Sequence, residues 1–151
     1  MRILIDADGC PVVDETLQLG KEYGVECLIL CDTAHIIQKS GAQTLTFPTG
    51  ADSVDFALVN MLSPGDLVIT QDYGLAAMCL ARRAMILNQY GMEYTQDNID
   101  SLLHLRDAVK KIVRGGGRVK GPAKRTAVHD RAFEEALRRI LDRELKEERK
   151  N

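Results

Sequence analysis

Apolar positions fall along this chain in short unbroken runs separated by stretches with helical spacing. "RILID" leads to "PVVDETLQLGKEYG", then "VECLILC", "TLTF", "SVDFALVNML", "DLVIT", "YGLAAMCLARR" and "AMILN". A strand with one wet face alternates apolar and polar residues, whereas a strand covered on both faces reads as a continuous apolar run. Continuous runs joined by helix-length segments therefore predict a parallel sheet with helices on both sides, an α/β fold of three layers. Pro11 suits the first turn of a helix, Gly24 suits its C-terminal stop, and "SPGD" at 63–66 suits the turn before the next strand.

Two further helices are expected after the sheet. "NIDSLLHLRDAVKKIV" places Ile99, Leu102, Leu103, Val109, Ile112 and Val113 near one face, and Phe133, Leu137, Ile140 and Leu141 do the same within a C-terminal helix at 130–149. Between them residues 114–125, in "RGGGRVKGPAKRT", are too rich in glycine and too poor in apolar residues for either element and read as an exposed loop.

Composition keeps this picture within one domain spanning residues 1–151, with 45% hydrophobic and 28% charged residues. A chain of that length buries about 70% of its unfolded surface around one core. No apolar run reaches the roughly 18 residues of a membrane span, and an acid at position 6 interrupts anything like a signal peptide. A cytoplasmic protein with no membrane partner is the expectation. Cys10, Cys27, Cys31 and Cys79 form no C-x-x-C pair and are expected as buried hydrophobes, not as a disulfide framework or zinc site. His35, His104 and His129 are dispersed without i, i+4 pairing, so histidine ligation of a metal is not expected.

Charge changes the picture more. The net charge of -2 conceals a division at Lys110: residues 1–109 carry 6 basic and 15 acidic side chains, and residues 110–151 carry 14 basic and 7 acidic. Such segregation fits a carboxylate site combined with a polyanion-binding segment. The bases of the glycine-rich loop, Arg114, Arg118, Lys120, Lys124 and Arg125, stand without an intervening acid and are candidate contacts for substrate phosphates. The charged stretch 138–150 reads as a solvated helix face.

In open parallel sheets ligands bind beyond the C-terminal strand ends, so acids there carry weight. Asp6 ends the first strand, and Asp8 would share its side if the extended conformation persisted. Asp72 in "VITQDYG" follows another strand, with Thr70 two residues earlier. In "TGADSVDFALVNML", Asp52 is placed to cap a helix and Asp55 falls one turn in on the same face. Asp55 has Val54, Phe56, Ala57, Leu58 and Val59 around it, so its charge needs a cation or a hydrogen-bond donor. Converging carboxylates repel, and a hard divalent cation such as Mg2+ or Mn2+ relieves that repulsion while favouring phosphodiester hydrolysis.

With "DADGCPV", "GADSVDFALV", "GDLVITQDYGLAA" and "GGGRVKGPAKRTAVHDRAFEEAL" in view, nearly the whole chain resembles the uncharacterised bacterial YaiI/YqxD family, which is similar to PIN-type nuclease domains. The resemblance implies a PIN-like (Rossmann-like) three-layer domain with additional C-terminal helices, acting as a Mg2+- or Mn2+-dependent nuclease on RNA. By position it implies Asp6, Asp55 and Asp72 as metal ligands, with Asp8 a further catalytic acid and Asp52 and Thr70 in support. The middle acid is Asp where PIN domains usually carry Glu, and one acid alone follows the later strand.

Two rivals remain open. "DADG" also matches the D-x-D-G of haloacid-dehalogenase-type phosphatases, with Asp6 as nucleophile and Asp8 as general acid. Against this, Cys10 and Pro11 run straight into a helix, and no Lys lies between Lys39 and Lys110. The other rival is a noncatalytic module of the same fold that binds RNA or a protein partner. Tyr73 is placed to stack on a base, and Cys10 is taken as structural.

Overall fold

The computed structural model describes residues 1–50, 52–121 and 123–150, with side chains to residue 146. Pro122 of the basic loop and Ala51 of the "GADS" segment lie outside the described residues, as do the side chains of 147–149 in the expected C-terminal helix. At the centre is β1 (Arg2–Asp6). Ile3 and Ile5 face one layer and Leu4 the other, all fully buried, which is why the run contains no polar break. The same alternation governs β2 (Glu26–Asp32), where Ile29 and Cys31 join the first layer and Leu28 and Leu30 the second.

The remaining strands are β3 (Gln43–Phe47), β4 (Leu67–Ile69), β5 (Met85–Leu87) and β6 (Glu93–Tyr94). They form one six-stranded sheet in the order β3-β2-β1-β4-β5-β6. The first five strands are mutually parallel, and β6 alone is antiparallel, paired with β5. That short last strand is a product of the turn before it. Asn88 accepts from the Tyr90 and Met92 amides at 2.9 and 2.8 Å, and Gly91 takes φ 88° where a Cβ would lie 2.8 Å from the Ala132 carbonyl oxygen.

Helix α1 (Val13–Tyr23) and helix α5 (Ala127–Lys150) cover one face of the sheet, while α2 (Ser53–Met61), α3 (Tyr73–Ala81) and α4 (Gln96–Arg114) cover the other. The three-layer α/β fold expected from the apolar runs is the fold observed. Phe133, Leu137, Ile140 and Leu141 of α5 are buried against the sheet, each contributing about 1.5–3 kcal/mol by leaving water. Gly24 ends α1 at φ 68°, a left-handed conformation that a glycine adopts without strain.

One expectation needs correction. Pro11 lies two residues upstream of α1, not in its first turn. The apolar face of α4 is covered only in part: Ile99 is buried and Leu102, Leu103 and Val109 are half-buried, whereas Ile112 and Val113 are exposed. α4 has 19 residues and packs on α3, which has 9, so at 1.5 Å per residue its last turns run past any partner.

At the N-terminal edge of the sheet, Asp66 is buried but fully answered. Its carboxylate takes the Arg2 amide at 3.1 Å, the Arg2 guanidinium at 2.8 Å and the Ser63 amide at 2.9 Å. It ties β1 to β4 and sits at the opposite end from the acids of the cleft. Among the described residues no helix is long and apolar enough to cross a membrane.

Candidate metal centre at the sheet's switch point

After β1 the chain crosses to β2 on one side, and later returns through β4 on the other. The crevice between the diverging connections beyond β1 and β4 is the place where such sheets bind ligands. Asp6 is the last residue of β1, and the segment Thr70–Asp72 follows β4 directly. The Thr70 hydroxyl, on a residue 2% exposed, donates to Asp6 Oδ2 at 2.7 Å and accepts from the Asp72 amide at 3.0 Å. One hydroxyl thus links the two acids.

Asp72 is the N-cap of α3: its Oδ1 accepts from the Gly74 and Leu75 amides at 2.8 and 3.1 Å. The same residue therefore caps the helix and lines the crevice. Asp52 was expected to cap α2 in this way and does not. It stands at the N-cap position with φ 64°, and its side chain makes no capping hydrogen bond, so a non-glycine residue sits in the left-handed region at the rim of the site. Asp55, one turn into α2, faces the same crevice.

The extended conformation expected to carry Asp8 beside Asp6 ends at Ala7. Its carbonyl accepts from the Cys10 amide at 3.1 Å, and Gly9 turns at φ 68°. Asp8 joins Asp32 and His35 instead: ligand atoms of the three lie within 4.8 Å of one another, the one such His/Cys/Asp/Glu group among the described residues. Asp32 ends β2 and accepts from the Ala34 amide and from His35 Nδ1, both at 2.9 Å. Asp6, Asp55 and Asp72 are not drawn together that tightly.

These acids line one cleft of about 770 Å³, with Asp6, Asp8, Asp32, Asp52, Asp55 and Asp72 contributed by the ends of β1, β2 and β4 and the start of α2. Burial, opposed in part by the Thr70 hydrogen bond and reinforced by the charges of Asp55, Asp72 and Asp8, pushes the Asp6 carboxyl up to about 6. Burial likewise raises Asp55, with Asp72 and Asp52 adding repulsion. The cleft carries more negative charge than its own donors neutralise.

The model of the uncharacterised YaiI/YqxD family matches residues 4–143. The chain belongs to that family. Curated relatives carry the name UPF0178 protein. One from Exiguobacterium sibiricum is 52% identical over 93% of this chain and 96% of its own length. Others, from Ruminiclostridium cellulolyticum and Clostridium acetobutylicum, are 45% and 43% identical, covering 91% and 95% of the chain and 90% and 98% of their own lengths. No solved structure matches it. The family match encloses every acid of the cleft.

The cations of this YaiI/YqxD protein's cleft are Arg106 and Lys110 of α4, one turn apart. Gly74 lets Arg106 approach: a Cβ there would lie 2.9 Å from Arg106 Nη1 and 3.2 Å from Asp72 Oδ1. Arg114, Arg118, Lys120 and Lys124 are exposed, and none of the described basic-loop residues lines the cleft. Arg125 is committed elsewhere. It pairs with Asp130 at 2.8 Å, donates to the Gln89 carbonyl at 2.8 Å and lies 5.5 Å over the Tyr90 ring, tying the start of α5 to the β5–β6 turn.

Tyr73 lines the cleft and meets Tyr94 edge-on at 5.9 Å. Burial raises the Cys10 thiol to about 11, so it is not an activated nucleophile, and all four cysteines are free. Sequence reasoning passed over Asp32, Arg106 and Lys110, and set His35 aside as a ligand because it has no i, i+4 partner, whereas the fold brings it to Asp8 and Asp32. Asp32 carried a usable signal, since it ends an apolar run just as Asp6 does; Arg106 and Lys110 carried only i, i+4 spacing on a helix read for its apolar face.

Proposed function

We propose that this YaiI/YqxD protein is a Mg2+- or Mn2+-dependent nuclease that hydrolyses phosphodiester bonds in single-stranded RNA. The observation that carries the reading is the cleft at the switch point, which six carboxylates line together with Arg106 and Lys110. The donor set fits a hard cation. All the acids offer oxygen, and Asp6 at about 6 marks negative charge that the protein leaves unanswered. Asp6, Asp55 and Asp72 would hold the ion, and their spread suits one that keeps several waters and takes few direct carboxylates.

When bound, such a cation supplies an activated water and charge stabilisation at phosphorus. The chain's own residues do the rest. Thr70 fixes Asp6, the α3 amides fix Asp72, and Arg106 and Lys110 bind the non-bridging oxygens of the incoming phosphate. Tyr73 presents a ring at the cleft for a flanking base.

The phosphatase reading loses support from the turn at Asp8, whose carboxylate gathers with Asp32 and His35. A noncatalytic RNA-binding module retains one observation in its favour, the wider separation of Asp6, Asp55 and Asp72. A labelled single-stranded RNA incubated with the full chain and millimolar Mn2+ separates the two. Cleavage that disappears with EDTA, with Asp6→Asn and with Asp72→Ala supports the nuclease. RNA retention without cleavage, together with no Mn2+ heat in calorimetry, refutes it.

A further inference from the structure

Gln71, between Thr70 and Asp72, lines the cleft and is exposed, yet both ends of its side-chain amide are engaged. Nε2 donates to the Gly9 carbonyl at 2.7 Å, and Oε1 accepts from Gln89 Nε2 at 3.1 Å. Turning the amide over would set oxygen against the Gly9 carbonyl and nitrogen against the Gln89 amide nitrogen, so the network admits one orientation. An exposed glutamine loses more rotamer entropy on being fixed than one solvated hydrogen bond offsets, and the second partner is what holds it. Gln89 is anchored in turn: its backbone carbonyl accepts from Arg125 Nη2 at 2.8 Å, and Arg125 pairs with Asp130.

We propose that Gln71 is a positioning residue that clamps the turn at Asp8 and Gly9 to the segment carrying Asp72, with Gln89 orienting its amide. Thr70 joins the ends of β1 and β4 from within, through Asp6; Gln71 joins them a second time at the rim, to a residue 62 positions away. In the turn it holds, Gly9 takes φ 68° and the Cys10 amide closes on the Ala7 carbonyl, and the turn delivers Asp8 to Asp32 and His35. The link needs a donor and an acceptor on one side chain. Glu would set a carboxylate against the Gly9 carbonyl, and Lys would leave Gln89 Nε2 without an acceptor. An uncharged amide also leaves the negative charge of the cleft intact for a cation, a consequence that rests on the metal reading above.

Amide hydrogen exchange of the metal-free full chain tests the clamp apart from any reaction. Gln71→Met keeps the length of the side chain and removes both bonds; the Cys10 amide is expected to exchange at least about fivefold faster, while the amides of Ile5 and Ile29 in the central strands keep their rates. In calorimetric titration with Mn2+ alone, Gln71→Met should weaken binding about tenfold and Gln89→Ala by less. The double variant should bind no more weakly than Gln71→Met, because Gln89 acts through Gln71. An unchanged Cys10 rate in Gln71→Met overturns the clamp, as does an unchanged Mn2+ affinity or a Gln89→Ala loss that persists in full beside Gln71→Met. A parent that binds no Mn2+ overturns the metal reading instead, and the Cys10 rate then decides the clamp by itself.

Discussion

Replacing Asp6 by Asn keeps an oxygen to accept the 2.7 Å hydrogen bond from Thr70 while removing the charge that burial disfavours. Folding raises the Asp6 carboxyl from 3.8 to about 6, so between those values the folded chain holds a proton that the unfolded chain has released. The sign follows from linkage: above pH 6 the ionised carboxylate costs the fold its full penalty, and the cost vanishes as pH falls below the unfolded value. At 1.36 kcal/mol per pH unit the penalty is about 3 kcal/mol. For a chain of this size 1 kcal/mol moves the melting temperature by about 2–4 °C. Asp6→Asn is therefore expected to melt at least about 5 °C above the parent at pH 8 in EDTA, with the gap closing near pH 4. Thermal denaturation followed by circular dichroism reads this directly. Adding Mn2+ should reverse the order, because an ion that binds the folded parent alone stabilises it by mass action. A variant that melts at or below the parent's temperature in EDTA at pH 8 refutes the claim that Asp6 carries uncompensated charge.

Thr70→Val removes the buried hydroxyl between Asp6 and Asp72; urea unfolding should show a loss of about 1–3 kcal/mol, and RNA cleavage should fall with it. Arg106→Ala and Lys110→Ala should each weaken RNA binding and flatten its salt dependence by about one counterion, measured by fluorescence anisotropy. Arg118→Ala and Lys120→Ala should do less, and equal losses from the loop variants would place the substrate over the loop. Phe133→Ala should cost about 3–5 kcal/mol by leaving a cavity between α5 and the sheet, without altering Mn2+ binding in the folded protein.

Local chemistry made much of this fold legible. Runs such as "RILID" and "LVI" contain no polar break because their strands are covered on both faces, and Gly24 and the "SPGD" turn mark boundaries that need only their neighbours to form. The two-residue β6 left no such signal, since its pairing depends on Asn88 closing a turn against α5. Ile112 and Val113 share the apolar spacing of α4 yet are exposed, for a related reason. Helical periodicity says which residues share a face, while only the length of the neighbouring helix says where burial stops.

By itself, then, the sequence determined the layered α/β class, the order of its principal elements and the placement of Asp6, Asp55 and Asp72 at the open end of the sheet. These follow from strand and helix periods and from acids at the ends of apolar runs, all of which act over a few residues. The tertiary structure decided which groups meet. It put Asp8 with Asp32 and His35, gave Asp72 the capping role that Asp52 lacks, withdrew Arg125 into the packing of α5, and brought Arg106 and Lys110 to the cleft. Those outcomes depend on where one turn ends and how far one helix reaches past another. Contacts between residues tens of positions apart set both, and no local pattern encodes them.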